Sequence, residues 1–252
     1  MIKEMFSALS DMLFPKRCAL CGEVVEIDEE LCPDCKALKR VSAPLCLKCG
    51  CEKSECVCKK SKHSPEYKAV VAPYYYEHGG CVAKGVLNLK MHDMPQLAIA
   101  QGDEISKAVS DFYELVHFDY ATFVPMSFYA ERQREFNQAK LLAERVGQNL
   151  KIPVKTALRK KHKTKMQKRQ SAADRFVNMY NAFDLADNSD VAGKTILLID
   201  DVKTTGATLS SAALTLKAYG AKAVYCAVYG IVKIIPNDFH SGCILSLYKF
   251  KQ

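Results

Sequence analysis

At 252 residues the chain is long enough for one sizeable α/β domain and a small appendage, and 49% apolar and 25% charged residues are typical of a globular protein. No segment approaches the roughly 18 apolar residues of a membrane span, and the N-terminus lacks a continuous apolar signal region, so we expect a soluble, cytoplasmic protein. The formal charge of +8 is concentrated, because the block Lys155–Arg169 holds eight Lys and Arg residues and no acid.

The N-terminal segment Met1–Phe14 predicts a short amphipathic helix. Its apolar residues recur at helical spacing, but Lys3, Glu4 and Asp11 interrupt them. We expect this helix to pack on the domain that follows.

The cysteines are concentrated near the N-terminus, with nine of the twelve between Cys18 and Cys58. Three CxxC pairs and one CxC pair supply eight thiolates, enough for two tetrahedral zinc sites. Two intervening residues allow a tight turn that points both sulfurs at one ion. A stretch of about 45 residues can bury little core, so metal would supply its folding free energy. The predicted zinc ligands are Cys18, Cys21, Cys32, Cys35, Cys46, Cys49, Cys56 and Cys58.

The pairing and purpose of these cysteines leave alternatives open. Grouping in sequence order is favoured, but a crossed arrangement, a single filled site and replacement of one CxC member by Cys51 are alternatives. Redox chemistry at one CxxC competes with zinc, although four pairs together favour metal. The module suits a structural or protein-contact role or contact with nucleic acid, and a four-cysteine site has no open position for catalysis.

Strands alternate with helices after the cysteines, which predicts a parallel sheet with helices on both faces and ligands beyond the carboxyl ends of the strands. We therefore predict a helix and double zinc-ribbon module over residues 1–62 and an α/β domain over residues 63–252. The predicted strands are Lys68–Tyr76, Tyr120–Met126, Lys194–Asp200 and Ala221–Val232, and the predicted helices are Gly79–Lys90, Met94–Val116, Glu131–Leu150 and Thr208–Tyr219.

The segment after the strand Lys194–Asp200 is the most informative. It places Asp200 and Asp201 at the strand's carboxyl end, and a run of small residues, Thr204–Thr208 (the threonine loop), then turns into a helix. Such a loop lets backbone N–H groups approach a phosphate at the positive end of the helix dipole. Carboxylates cannot bind that phosphate, so we expect them to face ribose hydroxyls, with Mg²⁺ bridging sugar and pyrophosphate oxygens. An ordinary strand–turn–helix with capping threonines is the alternative.

The basic block Lys155–Arg169 has two interpretations. It is either a solvated, mobile face or a docking surface for the phosphates of a small ligand or of nucleic acid. The interleaved aromatic residues that would stack on single-stranded bases are missing from it.

The segment Leu197–Leu209 resembles the ribose-phosphate signature of type I phosphoribosyltransferases, which use 5-phosphoribosyl-1-pyrophosphate (PRPP). The wider chain is similar to the ComF family of ComFC-like competence proteins, in which a cysteine ribbon precedes such a domain. Leu13–Pro15, Leu87–His92, Arg132–Gln138 and Gln167–Arg175 also match that family's pattern.

This resemblance implies a type I phosphoribosyltransferase-like α/β fold that binds PRPP or a related phosphorylated ribose with Mg²⁺, and Asp200 and Asp201 would be its catalytic residues. Asn137 and Gln138 would orient a base or sugar, and Arg159–Arg175 would form a flexible hood over the ligand. The implied PRPP-binding residues are Asp200, Asp201, Lys203, Thr204, Thr205, Gly206, Ala207, Thr208, Arg132 and Arg134.

The resemblance also implies a role in natural transformation, with incoming single-stranded DNA and a ComFA-like helicase as candidate partners. The alternative is a catalytically active, Mg²⁺-dependent pentosyl transferase of nucleotide salvage or other metabolism unrelated to DNA uptake. Nothing in the sequence identifies an acceptor base.

Overall fold

The structure of the protein is a computed structural model, and it describes residues 14–56, 58, 64–91, 94–126, 136–161 and 182–233. The predicted N-terminal helix therefore lies outside the described residues, apart from Phe14. The same holds for Arg132 and Arg134 and for most of the predicted hood.

A parallel sheet forms the centre of the described structure, and a separate antiparallel pair accompanies it. The strands are β1 (Ala69–Val71), β2 (Tyr74–Tyr75), β3 (Tyr120–Phe123), β4 (Leu158–Lys160), β5 (Phe183–Leu185), β6 (Thr195–Lys203) and β7 (Ala223–Ile231). The sheet order is β1–β7–β6–β3, with β2 also paired to β7, and β4 pairs with β5. All pairings in the sheet are parallel, as the alternation of strands and helices predicts.

Helices cover both faces of this sheet. The helices are α1 (Pro33–Lys36), α2 (Cys81–Met91), α3 (Leu97–Phe112), α4 (Gln138–Leu150) and α5 (Ala207–Ala218), with a 3₁₀ turn at Lys53–Glu55. On one face α2, α3 and α4 contribute buried Leu89, Ile105 and Leu142 to the core. On the other face α5 and the β4–β5 pair contribute Leu216 and Phe183. The predicted α/β class is confirmed. None of the described helices is long and apolar enough to cross a membrane.

Two predicted elements differ from the observed ones for local reasons. The predicted strand Lys68–Tyr76 divides into β1 and β2 around Pro73, which lacks a backbone N–H for the ladder. Helix α4 begins at Gln138, because Asn137 has an extended backbone and its side chain accepts a hydrogen bond from the Lys140 N–H, so the predicted helix Glu131–Leu150 is interrupted at Asn137. Residues 131–135 of that prediction lie outside the described residues.

The cysteine-rich segment covers the outer edge of β1 and β2. Arg40 forms an antiparallel bridge with Tyr74, and the Val41 N–H donates to the Pro73 carbonyl at 2.8 Å. Farther along, the Val70 N–H donates to the Leu47 carbonyl at 3.1 Å. The segment thus satisfies backbone groups that an exposed sheet edge would leave unpaired.

Candidate ligand site and zinc clusters

The eight predicted zinc ligands lie in two sets of four, and within each set all sulfurs are within 4.8 Å of one another. The first cluster is Cys18, Cys21, Cys32 and Cys35; the second cluster is Cys46, Cys49, Cys56 and Cys58. The Sγ–Sγ distance is 3.6 Å for Cys21 and Cys32 and 3.7 Å for Cys49 and Cys56. Zinc–sulfur bonds of about 2.3 Å in a tetrahedron require sulfurs about 3.8 Å apart, far beyond the roughly 2.05 Å of a disulfide. Each set fits one zinc ion.

The two clusters contain turns of the same geometry. Gly22 follows Cys21 and Gly50 follows Cys49, both with a φ of +81° that favours glycine. The Gly22 N–H donates to the Cys18 carbonyl at 2.9 Å and the Gly50 N–H donates to the Cys46 carbonyl at 2.7 Å. In the first cluster, a hydrogen bond with Cys35 lowers the pKa of Cys21 to about 5, which favours the thiolate that zinc binds.

Cys51 lies beside the second cluster but outside the set of four. Its side chain is 4% exposed and hydrogen-bonds with that of Cys49. Its carbonyl accepts a hydrogen bond from the Cys46 N–H at 2.8 Å. The sulfurs are therefore grouped in sequence order, with Cys51 as an additional thiol next to a ligand.

The acidic pair lies near the carboxyl end of β6, where both residues are half-buried. The Oδ1 of Asp200 accepts a hydrogen bond from the Asp201 N–H at 2.9 Å, and the Oδ1 of Asp201 accepts one from the Val202 N–H at 2.6 Å. The other oxygen of Asp201 lies 2.5 Å from Nζ of Lys90 on α2. The structure therefore adds a cation to the predicted carboxylates.

Burial and neighbouring charges have opposing effects on the pKa values of Asp200 and Lys90. Burial and, to a smaller extent, the charge of Asp201 raise the pKa of Asp200 to about 7, although the charges of Lys90 and Lys160 oppose the rise. Burial is the largest single effect on Lys90 and would lower its pKa, but the charge and hydrogen bond of Asp201 together with the charge of Asp200 outweigh burial, so the net shift is upward. Asp200 therefore changes protonation near neutral pH, and a cation bound beside it would favour its ionised form.

The threonine loop is open to solvent on one side. Thr204, Thr205 and Thr208 are exposed, whereas Gly206 is buried with a φ of +80°. A Cβ at position 206 would lie 3.0 Å from Cε of Lys203 and 3.1 Å from the Tyr67 hydroxyl. Glycine is thus required here by its conformation and by a close approach. Helix α5 starts directly afterwards, so first-turn N–H groups and threonine hydroxyls lie at one end of β6.

Lys203 is placed differently from the other predicted ligand residues. It is 3% exposed and lies against Gly206 and Tyr67, on the inner side of the threonine loop. Its assignment to the ligand-binding set is not supported by this position, because a buried ammonium does not share the open side of the loop with the threonine hydroxyls.

Sequence reasoning missed the ion pair of Lys90 with Asp201, although it singled out the segment Leu87–His92 that contains this lysine. Asn137 and Gln138, expected to orient a base or sugar, have structural surroundings instead. Asn137 caps α4 and donates from Nδ2 to the Val124 carbonyl at 3.3 Å, and Gln138 is 3% exposed.

Comparisons with known proteins agree with this organisation. Residues 9–64 match the double zinc ribbon domain family, and residues 137–230 match the phosphoribosyl transferase domain family. The ribbon match and the two four-sulfur clusters together support Zn²⁺ as the metal that these cysteines bind.

Two curated relatives are competence proteins. Competence protein ComFC of Bacillus subtilis is 28% identical over 200 residues, which cover 77% of this chain and 80% of the relative. Competence protein F of Haemophilus influenzae is 34% identical over 112 residues, 44% of this chain and about half (48%) of that relative. A solved purine phosphoribosyltransferase from Pyrococcus horikoshii is 18% identical with a TM-score of 0.35, covering 55% of this chain and 80% of that one.

The two domain matches occur in the order that the cysteines and the threonine loop predict, and both curated relatives are competence proteins. The chain combines a double zinc ribbon with a phosphoribosyltransferase-type domain, and in this organisation and in its curated relatives it matches a ComFC-like competence protein.

Proposed function

We propose that the protein binds PRPP, or a related phosphorylated ribose, at the acidic pair and the threonine loop. The observation that supports this most directly is the meeting of two half-buried carboxylates and an exposed loop at the carboxyl end of β6, the end at which open α/β sheets bind ligands. Asp200 and Asp201 would accept hydrogen bonds from the ribose 2′- and 3′-hydroxyls.

The phosphate would lie over the threonine loop. The hydroxyls of Thr204, Thr205 and Thr208 and the N–H groups of Gly206 and Ala207 would donate to it at the positive end of α5. Mg²⁺, when bound, would supply positive charge between the sugar and pyrophosphate oxygens. On sequence grounds we propose Arg132 and Arg134 as further phosphate ligands.

We further propose that this binding serves natural transformation, in which the protein would handle incoming single-stranded DNA in the cytoplasm beside a ComFA-like helicase. The names of the curated relatives support a competence role. Within the basic block, Lys155, Arg159, Lys160 and Lys161 are exposed, and Arg159 also forms an ion pair with Asp187 at 2.9 Å. In this proposal residues 1–62 form the ribbon module and residues 63–252 the ligand-binding domain.

Calorimetry with PRPP and Mg²⁺ tests the ligand site. Asp200→Asn and Asp201→Asn are each expected to reduce affinity by roughly 10- to 100-fold, since each removes a charged hydrogen-bond acceptor. Asp187→Asn, at an exposed carboxylate on the β5 side, is the matched control and should bind like the wild type. Undiminished binding by both site variants would remove the assignment.

Two further measurements distinguish the two candidate functions of the protein. Release of pyrophosphate from PRPP with an added base would favour the alternative of a metabolic phosphoribosyltransferase. Salt-sensitive binding of single-stranded DNA that is lost when Lys155, Lys160 and Lys161 are changed to Gln would favour DNA handling.

A further inference from the structure

Lys203 is a buried cation that the proposed ligand site does not use. It is the last residue of β6, is 3% exposed, and its carbonyl accepts a hydrogen bond from the Val232 N–H at 2.9 Å. Burial disfavours its charged form and lowers its pKa. A buried ammonium needs a compensating charge nearby, because its removal from water is unfavourable.

The compensating charges lie in the second cluster. Ile231 pairs with Lys203 across β6 and β7, and it lies so close to Gly50 that a Cβ there would be 2.4 Å from its Cδ1. Gly50 stands between Cys49 and Cys51, so the buried lysine and the cluster are on the same face of the sheet, and the charges of these cysteines oppose the effect of burial on Lys203. Four cysteine thiolates around one Zn²⁺ have a formal charge of −2, and the thiol of Cys51 adjoins this group. A cation at this position therefore offsets the negative charge of the metal site.

The same lysine contacts the threonine loop. Gly206 approaches Lys203 so closely that a Cβ would lie 3.0 Å from Cε, and the Tyr67 hydroxyl adjoins the same glycine. That hydroxyl donates to the carbonyl of Lys48, between the two cysteines of the CxxC pair, at 3.0 Å. Lys203 and Tyr67 thus occupy the space between the second cluster and the loop.

We propose that Lys203 is the counter-charge of the second zinc cluster and that, through it, the metal site supports the threonine loop from below. Lys203 is a positioning residue in this proposal, since it acts on zinc through Cys51 and Cys49 and on the loop through Gly206. The proposal concerns zinc retention and does not depend on PRPP being the ligand.

Zinc retention in the full-length, zinc-loaded chain tests the proposal. We would compare Lys203→Met, which keeps the length but removes the charge, with Lys203→Arg, which keeps the charge. Each protein is exposed to a chelator and an alkylating reagent, and mass spectrometry of its peptides gives the labelling rate of each cysteine. In Lys203→Met we expect second-cluster cysteines to be labelled roughly 10- to 100-fold faster, the effect of losing a partner that supports a metal ligand, with first-cluster rates unchanged.

The controls distinguish charge from general loosening. Lys203→Arg should stay close to the wild type, and so should Lys217→Met, which removes an exposed lysine paired with Glu66 at 3.0 Å. Unchanged labelling of the second cluster in Lys203→Met overturns the proposal. Equal acceleration of both clusters, or the same acceleration in Lys217→Met, overturns it as well.

A second measurement covers the case in which Lys203→Met does not fold. Cys58→Ser removes a ligand from the second cluster, and Cys18→Ser removes one from the first cluster. Hydrogen exchange of the amides at Gly206–Leu209 should be faster in Cys58→Ser than in Cys18→Ser. Equal exchange in the two variants would contradict support of the loop by the second cluster.

Discussion

The two zinc clusters share a ligand chemistry and a turn geometry but differ in their surroundings. The first cluster packs against the helical layer, where Asn88 of α2 donates to the Cys21 carbonyl at 2.7 Å and Gln101 of α3 donates to the Leu20 carbonyl at 3.0 Å. The second cluster lies on the opposite face of the sheet, against Tyr67, Lys203 and the end of β7. Identical local chemistry therefore stabilises a helical layer in one place and adjoins the candidate ligand site in the other.

Loss of a zinc ligand should have the largest effect and should separate the clusters. Cys21→Ser is expected to lower the free energy of unfolding by more than about 4 kcal/mol, because a structural metal supplies much of a ribbon's folding energy. Cys49→Ser should cost less, since Cys51 is already beside it and offers a replacement sulfur. Zinc content and denaturant unfolding measure both changes, and equal losses would contradict the asymmetry.

A matched pair of glycine substitutions tests the two contacts with the sheet domain. A Cβ at Gly85 would lie 2.3 Å from the Leu20 carbonyl oxygen, and a Cβ at Gly50 would lie 2.4 Å from Cδ1 of Ile231. We expect Gly85→Ala and Gly50→Ala each to cost about 2–3 kcal/mol of stability through overpacking, with added strain from the positive φ of Gly50.

Ligand affinity then distinguishes these two variants. Only Gly50→Ala should weaken PRPP binding in calorimetry, because Gly50 belongs to the cluster beside the threonine loop. Equal weakening by Gly85→Ala would show that the comparison between the clusters is wrong.

The acidic pair gives a pH-dependent effect of intermediate size. Because the folded-state pKa of Asp200, about 7, lies above its unfolded value, ionisation of Asp200 lowers stability as the pH rises through 7. Relative to the wild type, Asp200→Asn should therefore gain about 1 kcal/mol of stability between pH 6 and pH 8, in thermal unfolding without ligand.

A carboxylate in the helical layer should behave in the opposite way. Hydrogen bonds from Arg145 lower the pKa of Asp103, so its charge stabilises the fold above the unfolded pKa. Asp103→Asn should lower stability at both pH values. These assignments would be contradicted if Asp103→Asn were more stable than the wild type. They would also be contradicted if the stability difference between Asp200→Asn and the wild type were the same at pH 6 and pH 8.

Exposed ion pairs beside the two clusters should have the smallest effect. Lys36 pairs with Glu29 near the first cluster, and Lys233 pairs with Glu55 near the second at 2.8 Å. Lys36→Ala and Lys233→Ala are each expected to change the free energy of unfolding by less than about 0.5 kcal/mol. Losses above about 1 kcal/mol would mean that ion pairs, and not metal and packing, stabilise the ribbons.

Much of the site was predictable because its parts are local in sequence. A CxxC pair forms a tight turn whatever the rest of the chain does, and eight such cysteines indicate two zinc sites. The threonine loop follows a buried strand and precedes a helix, so its exposed hydroxyls and glycine conformation follow from a few neighbouring residues. The prediction of one continuous helix over Glu131–Leu150 was wrong, because it followed apolar periodicity and overlooked the capping residue Asn137.

By itself, the sequence determined the resemblance to ComFC-like proteins, the parallel α/β architecture, the cysteine clusters and the acidic pair, all of which depend on spacing over short stretches. Only the tertiary structure decided that Lys90 pairs with Asp201, that Lys203 turns inward, and that the two clusters take opposite faces of the sheet. The physical reason is that burial and charge pairing arise between segments distant in the chain, and no local pattern records which of them meet when the sheet closes.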